Sequence, residues 1–246
     1  MLTLILQKII HKKWMVMCLL IGNILLIAVA SSYPMYRISS FQRMLTDEFD
    51  AYWESKGKWP AMMTFTHNRS KNRENHSYEK IMEYVDYVNA QLNVPIEREI
   101  QFLSTSLVDA MPVVKRSEKM YRVLRISAMT DLEQYVTLYA GRMPESGIID
   151  GEYLEVIVAE EMADSLDMLL DEVYELDKTT FANGKPLRAK IVGMYRANNA
   201  DDPYWVESPS ELNRDLFVSM ETFLTYFTGE EAENAYGLKK VIYEQW

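Results

Sequence analysis

Few residues of this chain have the type and spacing to do chemistry. Ser77-Tyr78-Glu79-Lys80 has the spacing of a serine nucleophile with a lysine one helical turn on, the S-x-x-K of serine acyl-enzymes. Its partner motifs SDN and KTG are missing, and a single match is expected by chance in a chain of this length. A serine opening a helix, with a surface lysine behind it, accounts for these residues. His11, His67 and His76 are too few and too scattered for a zinc site, although His67 and His76 flank one polar loop. Asp201-Asp202 beside Asn198 and Asn199 offers oxygen ligands, but without the regular spacing of a calcium loop; a turn is the simpler reading. There is no GxxxxGK[ST], GxGxxG, GxSxG or HExxH. The chain reads as a non-enzyme with no cofactor and no metal.

Its most informative stretch is apolar. Trp14 to Ala30, WMVMCLLIGNILLIAVA, contains no charge. At about 1.5 Å of rise per residue, the run through Tyr33 reaches roughly 30 Å, the thickness of a bilayer's hydrocarbon core. Trp14 stands at one end and Tyr33 and Tyr36 at the other, where amphipathic rings settle at the headgroups. Lys8, His11, Lys12 and Lys13 precede the run, and the first acidic residue is Asp47. The positive-inside rule puts residue 1 in the cytoplasm and everything after Tyr33 outside.

The competing reading is a cleaved signal peptide ending at Ala28-Val29-Ala30. The anchor is preferred because the apolar run exceeds a usual signal core of about 7–15 residues and continues into Tyr33-Pro34-Met35-Tyr36. Leu2 to Ile10 adds an interfacial stretch before it. Lipidation at Cys18 is disfavoured, since Met15-Val16-Met17 lacks a small residue before the cysteine.

Composition narrows the partners. The net charge is −10; without the three lysines of the first 30 residues the remainder carries 23 basic and 36 acidic groups, or −13. Nucleic acid is therefore excluded as a natural partner, and the bland role of this acidity is solubility. Hydrophobic residues make up 48% of the chain, enough to bury a core. The only cysteine lies in the apolar run, so no disulfide forms in the outside portion. Asn68-Arg69-Ser70 and Asn75-His76-Ser77 fit a glycosylation pattern by chance in a polar loop. The sixteen methionines fit core packing better than a greasy binding surface.

Periodicity places the elements. Phe41, Leu45, Phe49 and Tyr52 predict a helix leaving the membrane, broken at Gly57 to Pro60. A strand near Met62 to Phe65 and a helix from Ser77 to Leu92 follow, then strands in REIQFLSTSLV and KMYRVLRISAM. Thr130, with Glu133 three residues on, predicts a capped short helix to Val136. Leu154 to Val158, Leu187 to Tyr195, Asp215 to Ser219 and Leu238 to Tyr243 predict strands, and Glu160 to Asp167 and Met220 to Phe227 helices. Asn183-Gly184 marks a turn and Asn198 to Ser210 a long exposed loop. The order of elements points to an α+β protein, and the strand, helix, strand order from Ala61 to Leu107 to an open sandwich.

One ordered series of segments carries a resemblance. It is Gly141-Arg142-Met143-Pro144, then Glu155-Val156-Ile157-Val158-Ala159-Glu160-Glu161-Met162-Ala163, then Lys190-Ile191-Val192-Gly193-Met194-Tyr195. Together with the basic start, one span and the Tyr-Pro-Met-Tyr exit, it resembles the N-terminal part of FtsX-like/MacB-like ABC transporter permeases. The chain departs from that pattern in two places. Leu169-Leu170-Asp171-Glu172 stands where a glycine-rich turn is expected, and the sequence stops at Trp246, before three further spans.

The resemblance implies a single N-terminal transmembrane helix in residues 1–36 and a mixed α/β extracytoplasmic MacB-like core domain in residues 37–246, porter-like with a smaller inserted subdomain. It further implies a cytoplasmic ABC ATPase, a homodimer or a further permease subunit, and a lipid-like or peptide substrate or an envelope partner. No catalytic residue is implied. Lys12, Lys13, Trp14, Tyr33 and Tyr36 would anchor the lever, and Gly141, Arg142 and Pro144 would form the family's turn. The alternative is an anchored or secreted binding or sensor protein without an ATPase.

Overall fold

The computed structural model describes residues 13–56, 62–68, 77–92, 96–114, 121–181, 184–228 and 237–245. The expected interfacial stretch Leu2 to Ile10, the break at Gly57 to Pro60, most of the polar loop after His67, and Asn183 lie outside them. Two compact units are present, Met1–Pro60 and Ala61–Trp246.

The first unit contains helix α1, Lys13–Lys56, 44 residues long. At about 1.5 Å per residue it extends roughly 66 Å, twice the depth of a hydrocarbon core. Among the described residues it is the one helix long and apolar enough to cross a membrane. It continues past the expected boundary at residue 36, with Pro34 inside it. Proline cannot donate to the preceding turn. One turn earlier, the hydroxyls of Ser31 and Ser32 donate to the carbonyls of Ala28 and Val29 at 3.1 and 3.0 Å.

The second unit is mixed α+β. Its elements are β1 (Met63–Asn68), α2 (Tyr78–Leu92), β2 (Glu99–Thr105), β3 (Val108–Pro112), β4 (Arg122–Met129), α3 (Leu132–Tyr135), β5 (Val136–Gly141) and β6 (Ile148–Ile149). They are followed by β7 (Tyr153–Ala159), α4 (Glu160–Leu166), β8 (Val173–Thr180), β9 (Pro186–Ala197), β10 (Asp215–Phe217), α5 (Met220–Phe227) and β11 (Leu238–Gln245). The sheet order is β1-β11-β2-β4-β10-β7-β9-β8-β3, and β3 returns to β4. The six strands β4, β10, β7, β9, β8 and β3 therefore form a closed ring, and β1 and β2, from the stretch expected to form an open sandwich, lie outside it.

Closure depends on two strands that each serve two partners along one edge. On β4, Leu124 faces Val108 of β3, and further along Ser127 faces Ser104 of β2. On β9, Arg188 faces Glu175 of β8, and Gly193 faces Gly141 of β5. The pairings β7–β9 and β4–β10 are parallel.

Both sheet faces are covered, which is why the strands read as continuous apolar runs and not as clean alternation. Val156 and Val158 join one buried cluster with Phe223 and Met162, while Ile157 between them joins the other with Phe217 and Tyr195. On β4 Leu124 and the run from Ile126 to Met129 are buried, and Val123 near its start is exposed. The helix expected from Thr130 is shorter and capped differently. Asp131 takes its N-cap position in the left-handed region (φ 54°) without a side-chain bond. Thr130 Oγ1 instead accepts from the Gln101 amide at 3.0 Å, tying the turn to β2.

Candidate functional site

The three segments of the ordered sequence series meet at one place. Gly141 ends β5 with φ +77°, a left-handed conformation that L side chains rarely adopt. A Cβ there would run into the Val192 carbonyl and stand 2.9 Å from the Gly193 Cα. Gly193 is constrained by space, because its Cβ would strike the Arg142 carbonyl and lie 2.9 Å from Ile157 Cγ2. The Arg142 amide donates to the Val192 carbonyl at 2.9 Å. Two glycines thus allow β5 to cross β9 at backbone contact.

That crossing sets Arg142 over Glu155 of β7. Its guanidinium donates twice to the carboxylate, at 2.6 and 2.5 Å, and once to the Met143 carbonyl at 3.0 Å. The Glu145 amide adds a third bond to Glu155 at 2.9 Å, closing the turn through Pro144. Burial pushes the Glu155 carboxyl up, but Arg142 and the Glu145 amide outweigh it and hold it below its ordinary value. The Glu155 hydrogen bonds raise Arg142 above its own. Nearby, Lys190 of β9 pairs with Asp171 at 2.9 Å. This constellation fixes three chain segments, and no nucleophile or proton relay is part of it.

A second charged cluster, not visible in the sequence, joins β4, β10, β11 and the loop before β10. Arg125 donates to both oxygens of the fully buried Asp215 at 2.7 and 3.0 Å and reaches Glu207 at 3.3 Å. Ser127 donates to Asp215, and Lys240 pairs with Glu207. Burial pushes the Asp215 carboxyl up against the pull of Arg125 and Ser127. These residues run from position 125 to 240, and no local pattern announces them.

The loop expected to lie exposed from Ala197 to Ser210 is anchored in the core. Tyr204 is 1% exposed, stacks on Tyr135 at 3.6 Å between ring centres, and donates to the Thr130 carbonyl at 2.7 Å. Trp205 is buried beside it and donates to the Asn199 carbonyl at 2.9 Å. Asp202 Oδ1 accepts from the Tyr204 amide at 2.9 Å, so the acidic pair builds a turn. Ser77 likewise serves α2, its Oγ accepting from the Lys80 amide at 3.4 Å. Among the described residues, no group of three or more His, Cys, Asp or Glu side chains could hold a metal ion.

On α1, Lys13, Trp14, Tyr33 and Tyr36 are exposed. Lys12, His11 and His76 lie outside the described residues.

No protein-family profile matches the chain, and no curated protein matches it. Several solved structures overlap with it at low identity. One is the periplasmic region of MacB from Actinobacillus actinomycetemcomitans, at 13% identity and TM-score 0.40, covering 77% of each chain. A domain of a putative permease protein from Porphyromonas gingivalis overlaps at 13% identity and TM-score 0.38, covering 75% of this chain and 73% of that one. The extracellular domain of the noncanonic ABC-type transporter YknZ from Gram-positive bacteria overlaps at 11% identity and TM-score 0.35, covering 75% and 82%.

Proposed function

We propose that this chain is the membrane-anchored extracytoplasmic part of an ABC transporter permease of the FtsX-like/MacB-like kind. In this reading α1 anchors it with residue 1 in the cytoplasm and the sheet unit outside, and the chain itself is not an enzyme. A cytoplasmic ABC ATPase and a second permease subunit, identical or not, complete the machine. ATP-driven closure moves α1 as a lever, and the sheet unit acts on a lipid-like or peptide substrate or an envelope partner.

The observation that carries this reading is the junction of Gly141, Arg142, Glu155 and Gly193. The sequence resemblance rests on three segments spread over 55 positions, from Gly141 to Tyr195. Their two glycines and their charged pair belong to one contact, which chance agreement of separate strings would not require.

The test is to express the full chain with an affinity tag at each end, fractionate the cells, and solubilise the membranes gently. Retention of both tags in the membrane with a cytoplasmic ATPase co-purifying is the expected result. Loss of the N-terminal tag, with the rest in the soluble extracytoplasmic fraction, would overturn it in favour of a secreted binding protein.

A further inference from the structure

Between α2 and the β1–β11 end of the sheet lies a cavity of about 360 Å³. This volume falls in the range of small-molecule sites, about 300–1,000 Å³. Its walls are apolar: Phe65 on β1, Ile81 and Val85 on α2, Val241 on β11, and the ring of Tyr243. Polar groups belong to Lys80 and Tyr84 of α2 and to Thr66 and His67 of β1, and no carboxylate is part of the lining among the described residues. Burial holds the Tyr243 phenol up at about 12, so it stays neutral. Its hydroxyl is engaged with Asn89 and Gln245 at 3.4 and 3.2 Å and with the Glu99 carboxylate, leaving the ring as the surface offered.

We propose that this cavity binds an amphiphilic anion, a medium-chain acyl body in the apolar pocket with its carboxylate or phosphate head met by Lys80. The apolar walls supply affinity through burial, and the lysine selects the head by charge. The site extends the proposed permease role on its substrate side and rests on that reading only there, because binding belongs to the isolated chain.

The experiment uses the full-length protein in lipid nanodiscs without any ATPase, titrated with dansyl-undecanoic acid, with empty nanodiscs as the background. The expected result is a saturable fluorescence rise above that background. Lys80→Glu, an exposed position that leaves the core intact, weakens the acid at least tenfold and leaves its neutral methyl ester within twofold. Val85→Trp, which fills the cavity, weakens both probes. Laurate displacing the dye identifies a free acid, and lauroyl lysophosphatidic acid displacing it better identifies a phosphate-headed lipid; displacement by neither overturns the proposal. So does the absence of saturable binding, or equal binding by wild type and Lys80→Glu. Failure here with an ATPase still co-purifying removes the pocket and leaves the permease reading intact.

Discussion

Arg142 and Glu155 are joined by two parallel hydrogen bonds of 2.6 and 2.5 Å, the carboxylate 4% exposed and the guanidinium half in solvent. The asymmetry matters for the energetics. An exposed ion pair is worth little, but a carboxylate held inside without its partner leaves a desolvated charge.

Arg142→Ala therefore lowers stability by stranding the buried carboxylate, and adding Glu155→Ala to it restores part of the loss. Urea midpoints of the full chain, followed by tryptophan fluorescence, give the cycle. A double variant no better than Arg142→Ala would show that the stranded carboxylate is not the cause.

The same pair sets a pH dependence. The folded state holds Glu155 below its ordinary value of 4.5, so its contribution is present above that value and disappears as pH falls through the lower folded one. The stability gap between wild type and Glu155→Gln is widest near neutrality and closes in acid. A gap independent of pH down to about 3 would contradict the assignment.

Gly193→Ala and Gly141→Ala each place a methyl group against backbone, and Gly141 adds a positive φ. Each costs about 3 kcal/mol or more, at the upper end of single-substitution effects. Limited proteolysis and thermal unfolding of the purified variants measure it. Wild-type resistance in both would mean that the β5–β9 crossing is looser than described.

Tyr204 separates packing from hydrogen bonding. Tyr204→Phe loses the bond to Thr130 and costs about 1 kcal/mol. Tyr204→Ala also removes the stack on Tyr135 and opens a cavity, for about 3–5 kcal/mol. Equal losses in the two variants would assign the whole effect to the hydroxyl.

Much of the element order is legible in the sequence because it is set by local rules. The charge-free run from Trp14, the 3.6-residue spacing of Phe41 to Tyr52, and the strand-forming residues of Leu154 to Val158 each act within a few residues of themselves. The helix Met220–Phe227 follows from Ser219, whose hydroxyl accepts from the Thr222 amide at 3.2 Å. Where a local rule was shared by two outcomes, it misled. Thr130 and Glu133 have the form of a capping box, yet the Thr130 hydroxyl binds Gln101 in β2. The acidic, proline-bearing stretch after Asn198 has the form of an exposed loop, yet Tyr204 and Trp205 pull it inward.

The sequence by itself determined the long apolar helix, much of the order of strands and helices, and the residue types at the Gly141 turn, since hydropathy, periodicity and backbone freedom are properties of short segments. The tertiary structure decided the rest. The return of β3 to β4 that closes the ring, the crossing that brings Gly193 to Gly141 and Arg142 to Glu155, and the burial of Asp215 between Arg125 and Ser127 all join residues far apart in the chain. Such contacts form only when packing on both sheet faces offsets the entropy of closing the loops between them, and no local pattern records which partner is chosen.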